Sequence, residues 1–217
     1  VETQTRRLME VCRMRKTPVM VFMNKMDREG RDPFDLMDEV EQELGIHVTP
    51  ITWTDGQGLK FTRSFFLGGE DSKTLPQETQ DLISIYPAFD KEAYLKGDLA
   101  PVFFGSAYKT IGVQELLDFF VANAPAPRPI DAVERTVDPM ENNFTGFCFK
   151  IHANMDPNHR SCIAFFKICS GRFERNVYYK HVRKEQQMRF SAPTCFMAQK
   201  KETVDEAFAG DIVGLPD

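Results

Sequence analysis

The sequence lacks any long hydrophobic run, which excludes a membrane protein built from spanning helices. Its longest apolar stretch is residues 19–23, Val-Met-Val-Phe-Met, whereas a bilayer requires about 20 apolar residues. The N-terminal Val-Glu-Thr-Gln has neither the basic region nor the apolar stretch of a signal peptide, so we expect a cytoplasmic protein with no membrane partner. A hydrophobic content of 42% and a mean hydropathy of −0.37 are typical of a soluble globular chain and exclude disordered and collagen-like chains.

Cysteine is sparse and its spacing fits neither a disulfide scaffold nor a zinc site. Five cysteines among 217 residues form no C-x-x-C pair, and their number is odd. We expect reduced thiols, most of them packed in the interior: Cys12, Cys148, Cys162, Cys169 and Cys195. His152 and His159 are also spaced wrongly for a zinc finger with these cysteines, so we predict no metal site.

A glycine-rich phosphate loop is missing as well. No segment matches G-x-x-x-x-G-K-[ST], because each of the three Lys-Thr pairs, at residues 16–17, 73–74 and 109–110, lacks the preceding glycine. The chain therefore offers neither the backbone cradle that holds nucleotide phosphates nor the hydroxyl that binds Mg²⁺ beside it.

Three prolines in residues 124–129, Ala-Pro-Ala-Pro-Arg-Pro, indicate a linker. We predict one domain at residues 1–127 and a second at 128–217. In the first, strands at residues 19–23 and 99–104, each buried on both faces, alternate with amphipathic helices after Asp32 and at residues 113–121. This α/β pattern gives way to short alternating strands, which predict an all-β barrel, at residues 144–152, 162–169, 177–179, 187–190 and 195–198.

Charge is segregated within the second domain. Residues 150–201 carry 11 Lys/Arg against three acids, a local net charge of +8, although the whole chain has −5. The segment is either the solvated surface of a barrel or a face that binds a polyanion.

The first candidate site is Asn24-Lys25-Met26-Asp27, directly after the first predicted strand. In an open α/β sheet, ligands bind beyond the carboxyl ends of the strands. A carboxylate at Asp27 would accept from both donors on the guanine edge, Asn24 would donate to a ring nitrogen, and the stem of Lys25 would cover the base. The alternative interpretation is a polar loop without a ligand.

The second candidate is Gly105-Ser106-Ala107, which follows the second predicted strand. Small residues there would let the backbone approach a base, and the amides of Ser106 and Ala107 would donate to the guanine carbonyl oxygen. The tripeptide carries little information alone, but beside the first motif it favours guanine binding.

Several segments together resemble the translational GTPases of the elongation factor G class. They are the Asn-Lys-Met-Asp motif with its capped helix, Gly-Ser-Ala, the proline linker and residues 209–215, A-G-D-I-V-G-L. Residues 50–53 (P-I-T-W) and 146–160 (G-F-C-F-K-I-H-A-N-M-D-P-N-H-R) resemble the bacterial release factor 3 family more closely.

The resemblance implies an internal piece of a factor that ejects class-one release factors from the ribosome. The fold would be a partial P-loop GTPase domain followed by a translation-factor-type barrel. GTP or GDP would be the cofactor, with Mg²⁺ bound by residues outside this stretch, and ribosomal RNA of the small subunit would face the barrel. The family's phosphate loop, its switches and its water-positioning histidine have no counterpart here, so no catalytic residue is predicted. The alternatives are an RNA- or protein-docking barrel on an inert scaffold, a translocation GTPase like elongation factor G, and a metabolic α/β enzyme.

Overall fold

The computed structural model describes residues 1–153, 162–197 and 200–216. The chain divides into two compact units, Val1–Ala124 and Pro125–Asp217, and each is described by itself. The predicted domain bounds, 1–127 and 128–217, stay a prediction. Within the described residues, every helix is too short or too polar to cross a bilayer.

The first unit has five helices and five strands among its described residues. The helices are α1 (Thr3–Met14), α2 (Pro33–Leu44), α3 (Gln77–Ile83), α4 (Lys91–Lys96) and α5 (Val113–Asn123). The strands are β1 (Val21–Met23), β2 (His47–Pro50), β3 (Thr52–Thr54), β4 (Ser64–Phe66) and β5 (Leu99–Phe104). Strands β1, β5 and β2 form a parallel sheet in that order, and β3 pairs with β4 as an antiparallel hairpin. The predicted α/β class is confirmed.

The two predicted strands differ in burial. All six residues of β5 are buried, as expected of a central parallel strand. Burial of β1 on both faces is a wrong prediction, because this strand lies at the sheet edge and its three residues are only half-buried. The pairing of Val21 with Val102 and of Met23 with Phe104 brings the two carboxyl ends level. The loops that follow β1 and β5 therefore start side by side.

Helix α2 begins and ends where its sequence predicts. The Asp32 carboxylate accepts a 2.8 Å hydrogen bond from the Phe34 amide, and Pro33 occupies the first turn, where no donor is needed. Gly45 ends the helix in the left-handed conformation, with φ of +57°.

Helix α5 does not bury the whole of the apolar face that its spacing predicts, which consists of Val113, Leu116, Leu117, Phe120 and Val121. Leu117 and Phe120 are each 51% exposed and Val121 is 82% exposed. Phe119 instead packs its ring against Phe89 and Phe103, with centroid distances of 4.8 and 5.2 Å. Apolar residues occur almost all round this helix, so the pattern did not determine which side meets the sheet.

The second unit is built from short, mainly antiparallel strands. They are β6 (Ile130–Asp131), β7 (Thr136–Val137), β8 (Thr145–Ala153), β9 (Cys162–Ser170), β10 (Arg172–Glu174), β11 (Tyr178–His181), β12 (Gln186–Arg189), β13 (Thr194–Met197), β14 (Lys200–Thr203), β15 (Glu206–Phe208) and β16 (Ile212–Pro216). One five-stranded sheet has the order β14-β13-β16-β9-β8, and β10–β15, β11–β12 and β6–β7 form separate pairs. Ile168, Phe173, Ala207, Val213 and Leu215 form the buried core.

The five strands predicted after the linker all exist, with bounds shifted by a residue or two. Ala198, the last residue of a predicted strand, lies outside the described residues, as does the segment Asp156-Pro157-Asn158, whose residue types favour a turn. Strands β6, β7, β10, β14, β15 and β16 were not predicted. The expectation that most thiols are packed is wrong, since Cys148 and Cys195 are exposed and only Cys169 is buried.

Candidate functional site

The Asn-Lys-Met-Asp and Gly-Ser-Ala loops are joined directly by backbone hydrogen bonds. The Gly105 amide donates to the Met23 carbonyl at 3.0 Å, and the Met26 amide donates to the Gly105 carbonyl at 3.1 Å. These bonds continue the β1–β5 ladder beyond the strands. The two motifs, some 80 residues apart in sequence, thus form one loop pair at the carboxyl edge of the sheet.

Met26 anchors the first motif to the hydrophobic core. Its side chain is 2% exposed, and its carbonyl accepts a 2.8 Å hydrogen bond from the Gly58 amide. Lys25, one residue earlier, has φ of +67°, which is strained for a residue with a side chain. With Met26 pointing inward, Lys25 and Asp27 lie towards the open side of the loop.

Asn24 bridges the two motifs through its side-chain oxygen. Its Oδ1 accepts from the Lys25 amide at 2.8 Å and from the Ala107 amide at 2.9 Å. With Oδ1 committed to two backbone donors, Nδ2 remains as the donor of the side chain. The contact with Ala107 spans 83 residues, and sequence reasoning did not predict it.

The pKa of the Asp27 carboxyl is lowered, chiefly by a neighbouring hydroxyl. The Ser106 hydroxyl donates to the Asp27 carboxylate and lowers the pKa of Asp27 below its usual value of 3.8, with Lys109 and Arg28 contributing positive charge nearby. Ser106 is completely buried, and its Oγ also accepts from the Lys109 amide at 3.3 Å. Sequence reasoning assigned a role only to the Ser106 amide and overlooked the hydroxyl, although a hydroxyl that donates to a carboxylate favours its charged form.

The roles predicted for the backbone of the second motif need correction. The Ser106 amide donates to the Ile111 carbonyl at 2.9 Å, within the turn that leads into α5, and the Ala107 amide donates to Asn24. Neither amide is free for a ligand carbonyl in this structure. Gly105 is required for internal packing, because an added Cβ would collide with the Ile111 carbonyl and would lie 2.7 Å from Phe22 Cζ; its role in letting a base approach stays a prediction.

The structure describes only part of the histidine and cysteine set considered for a metal and only part of the basic segment. No group of three His, Cys, Asp or Glu side chains suited to a metal occurs in the described parts of the chain. Within the basic segment, Arg172 pairs with Glu174 and Glu206, and Arg175 pairs with Asp205. The exposed cations of the β11–β12 hairpin, which has one acid of its own, are Lys180, Arg183, Lys184 and Arg189. Asp156, Arg160 and the side chains of Lys200 and Lys201 lie outside the described residues.

Comparisons with known proteins agree with this architecture. Residues 1–126 match the family model of the elongation factor Tu GTP binding domain, and residues 143–217 match that of elongation factor G domain 2. Peptide chain release factor 3 from Bordetella pertussis (strain Tohama I) is 42% identical over 249 aligned residues, and so is that from Bordetella bronchiseptica (strain RB50). Each alignment covers 100% of this chain and 46% of the relative, so the chain spans about half the length of these curated relatives.

A solved structure from Thermus thermophilus shares the fold. It superposes with a TM-score of 0.73 at 20% identity, covering 100% of this chain and 36% of that one. The α/β unit followed by a domain of elongation factor G type is therefore confirmed, as is the resemblance to release factor 3. The chain belongs to the family defined by the elongation factor Tu GTP binding domain.

Proposed function

We propose that the joined loops read the base of a guanine nucleotide. The observation that carries this proposal is the junction of Asn24, Asp27 and Ser106 at the carboxyl edge of β1 and β5. The charged Asp27 would accept from the ring N–H and the exocyclic amino group of guanine, and Nδ2 of Asn24 would donate to the other side of the base. Adenine offers no matching pair of donors, so Asp27 would supply specificity. The exposed Lys25 would lie over the base plane.

For the longer protein we propose a cytoplasmic, ribosome-dependent GTPase that promotes the dissociation of class-one release factors. The name of the two relatives favours termination over the translocation activity of elongation factor G. No group of three His, Cys, Asp or Glu side chains that could hold a metal occurs in the described residues, and residues outside this stretch would bind the Mg²⁺ that accompanies nucleotide phosphates. We assign only base recognition to these residues.

Titration of the 217-residue chain with a fluorescent guanine nucleotide tests how much affinity the base site supplies. We expect binding weaker than micromolar and no GTP hydrolysis, because the sequence has no phosphate loop. Micromolar affinity or measurable turnover would contradict this expectation.

The substitution Asp27→Asn in the intact protein tests base reading itself. We expect guanine nucleotides to bind about tenfold or more weakly, since hydrogen bonds to a charged group contribute about 1.5–3 kcal/mol, and xanthine nucleotides to bind more tightly. Asp35→Asn, in the first turn of α2, is the matched control and should leave both affinities unchanged. Unaltered selectivity in the Asp27 variant would refute the assignment.

We further propose that the basic segment of the second unit contacts ribosomal RNA of the small subunit. Its local net charge of +8 supports a polyanion partner. The rival function is a docking barrel on an inert α/β scaffold. Both proposals predict that binding to ribosomes falls steeply with salt. Under the rival function, however, Asp27→Asn would change nothing in the intact protein.

A further inference from the structure

The second unit contains a cavity of about 560 Å³ between β8 and β11. Its lining includes residues 144–148, which lead into and begin β8, and residues 179–183, which run from β11 into the short 3-10 helix Val182–Lys184. Successive side chains of a strand point to opposite faces, so a run of consecutive lining residues means that the cavity meets the strand along its backbone edge. The cavity is therefore a slot between two strand edges.

Among the described residues, both edges that face the slot lack a partner strand. In that part of the chain, β8 pairs only with β9 and β11 pairs only with β12. Nor does any backbone hydrogen bond between described residues join residues 144–148 to residues 179–183. Such edges present rows of N–H and C=O groups that another extended chain can satisfy.

The slot combines an apolar interior with a positive rim. Phe144, Phe173, Phe190 and Met188 contribute apolar lining. Its charged or ionisable lining side chains include Lys180, His181 and Arg183, and none of the described residues that line it is a carboxylate. An occupant matched to this surface carries apolar groups on one side and negative charge on the other.

We propose that the slot binds an extended acidic peptide, which adds a strand between β8 and β11. Alternate side chains of the peptide enter the apolar interior, and the intervening carboxylates face Lys180 and Arg183. Four residues at about 3.3 Å each span about 13 Å, the length of the lining segment of β8, residues 145–148. RNA would match the positive rim but would leave the backbone donors and acceptors of both edges without a regular partner. The site is independent of guanine reading: Lys180 and Arg183 serve the peptide, and the other cations of the basic segment remain for ribosomal RNA.

The test uses the 217-residue chain and the fluorescent probe acetyl-Glu-Val-Glu-Ile-Glu-Val-amide, followed by polarisation. We expect saturable binding that weakens with salt. The same peptide N-methylated at alternate amides should bind at least tenfold more weakly, because it cannot complete the strand pairing, and a Lys-for-Glu version should not bind. Binding of the N-methylated peptide with unchanged affinity would overturn the proposal, as would failure of the probe to bind.

Charge reversal separates the rim from the overall charge of the protein. The double variant Lys180→Glu/Arg183→Glu should lose at least tenfold in affinity for the probe. Arg7→Glu/Lys73→Glu, at two exposed cations of the other unit, changes the net charge equally and should bind like the unchanged protein. An equal loss of probe affinity in both double variants would refute the proposed peptide site.

Two competing occupants give distinguishable results. If a single-stranded oligoribonucleotide displaces the probe at lower concentration than unlabelled peptide does, the surface is an RNA site and the peptide proposal fails. If sedimentation shows a dimer whose formation abolishes probe binding, a second copy of the chain fills the slot, and the proposal fails in that case also. Guanine nucleotide affinity should be the same with and without the probe.

Discussion

At the scale of single residues, the hydroxyl of Ser106 is the strongest influence that lowers the pKa of Asp27. The substitution Ser106→Ala should raise the pKa of Asp27, because the hydrogen bond that lowers this pKa most is removed. A depressed carboxyl pKa adds stability that is present above the unfolded value and is lost as the pH falls through the folded value. Protonation of Asp27 also removes the acceptor that guanine needs. Because the pKa is higher in the variant, guanine recognition should be lost at a higher pH in the variant than in the unchanged protein. NMR titration of the Asp27 carboxyl carbon measures the pKa directly, and an unchanged value would contradict this account.

Ser64 provides a matched comparison for Ser106. Its Oγ is buried and has no hydrogen-bond partner among the described residues. Ser64→Ala therefore removes a hydroxyl that was desolvated on folding without gaining a hydrogen bond in return. We expect this variant to be as stable as the unchanged protein or up to about 1 kcal/mol more stable in urea unfolding. A clear loss of stability would mean that the Ser64 hydroxyl has a partner.

At the scale of elements, α2 owes its N-terminus to one side chain. Asp32→Ala should lower the free energy of unfolding by about 1 kcal/mol, because the Phe34 amide loses its acceptor. Asp35→Ala is the control: it removes a charge near the helix dipole but no cap, an effect that about 0.5 M salt screens. Equal losses for both variants at high salt would show that capping is not the cause.

Neighbouring phenylalanines of α5 should respond very differently to truncation. Phe119 contacts two rings of the core, so Phe119→Ala should cost about 2–4 kcal/mol in urea unfolding. Phe120 is half exposed, and Phe120→Ala should cost less than about 1 kcal/mol. The reverse order would mean that the helix packs through the face that its sequence pattern favours.

These elements show where sequence reasoning succeeds and where it stops. Helix α2 was predictable because its cap, its first-turn proline and its final glycine act within a few residues of the helix ends. The buried face of α5 was not, because choosing among its apolar residues depends on Phe89 and Phe103, which come from elsewhere in the chain. For the candidate site, residue types were predictable, whereas the bond between Asn24 and Ala107 depends on the register of β1 against β5.

At the scale of the whole molecule, each compact unit has its own hydrophobic core. We therefore expect residues 125–217, expressed alone, to fold and to reproduce the amide NMR spectrum that the same residues give in the full chain. Leu215→Ala, which opens a cavity in that core, should lower the melting temperature of both proteins similarly. A collapsed, poorly dispersed spectrum of the isolated segment would refute autonomous folding.

The burial of Met26 changes how its motif should be written. The pattern N-K-x-D leaves the third position open to any residue. In this fold that side chain is enclosed, so a polar or charged residue there would dislodge Asn24 and Asp27 together. Sequence searches that require an apolar residue at this position should discard chance matches. They should retain the loops that can hold the Asn and Asp side chains as Asn24 and Asp27 are held in this fold.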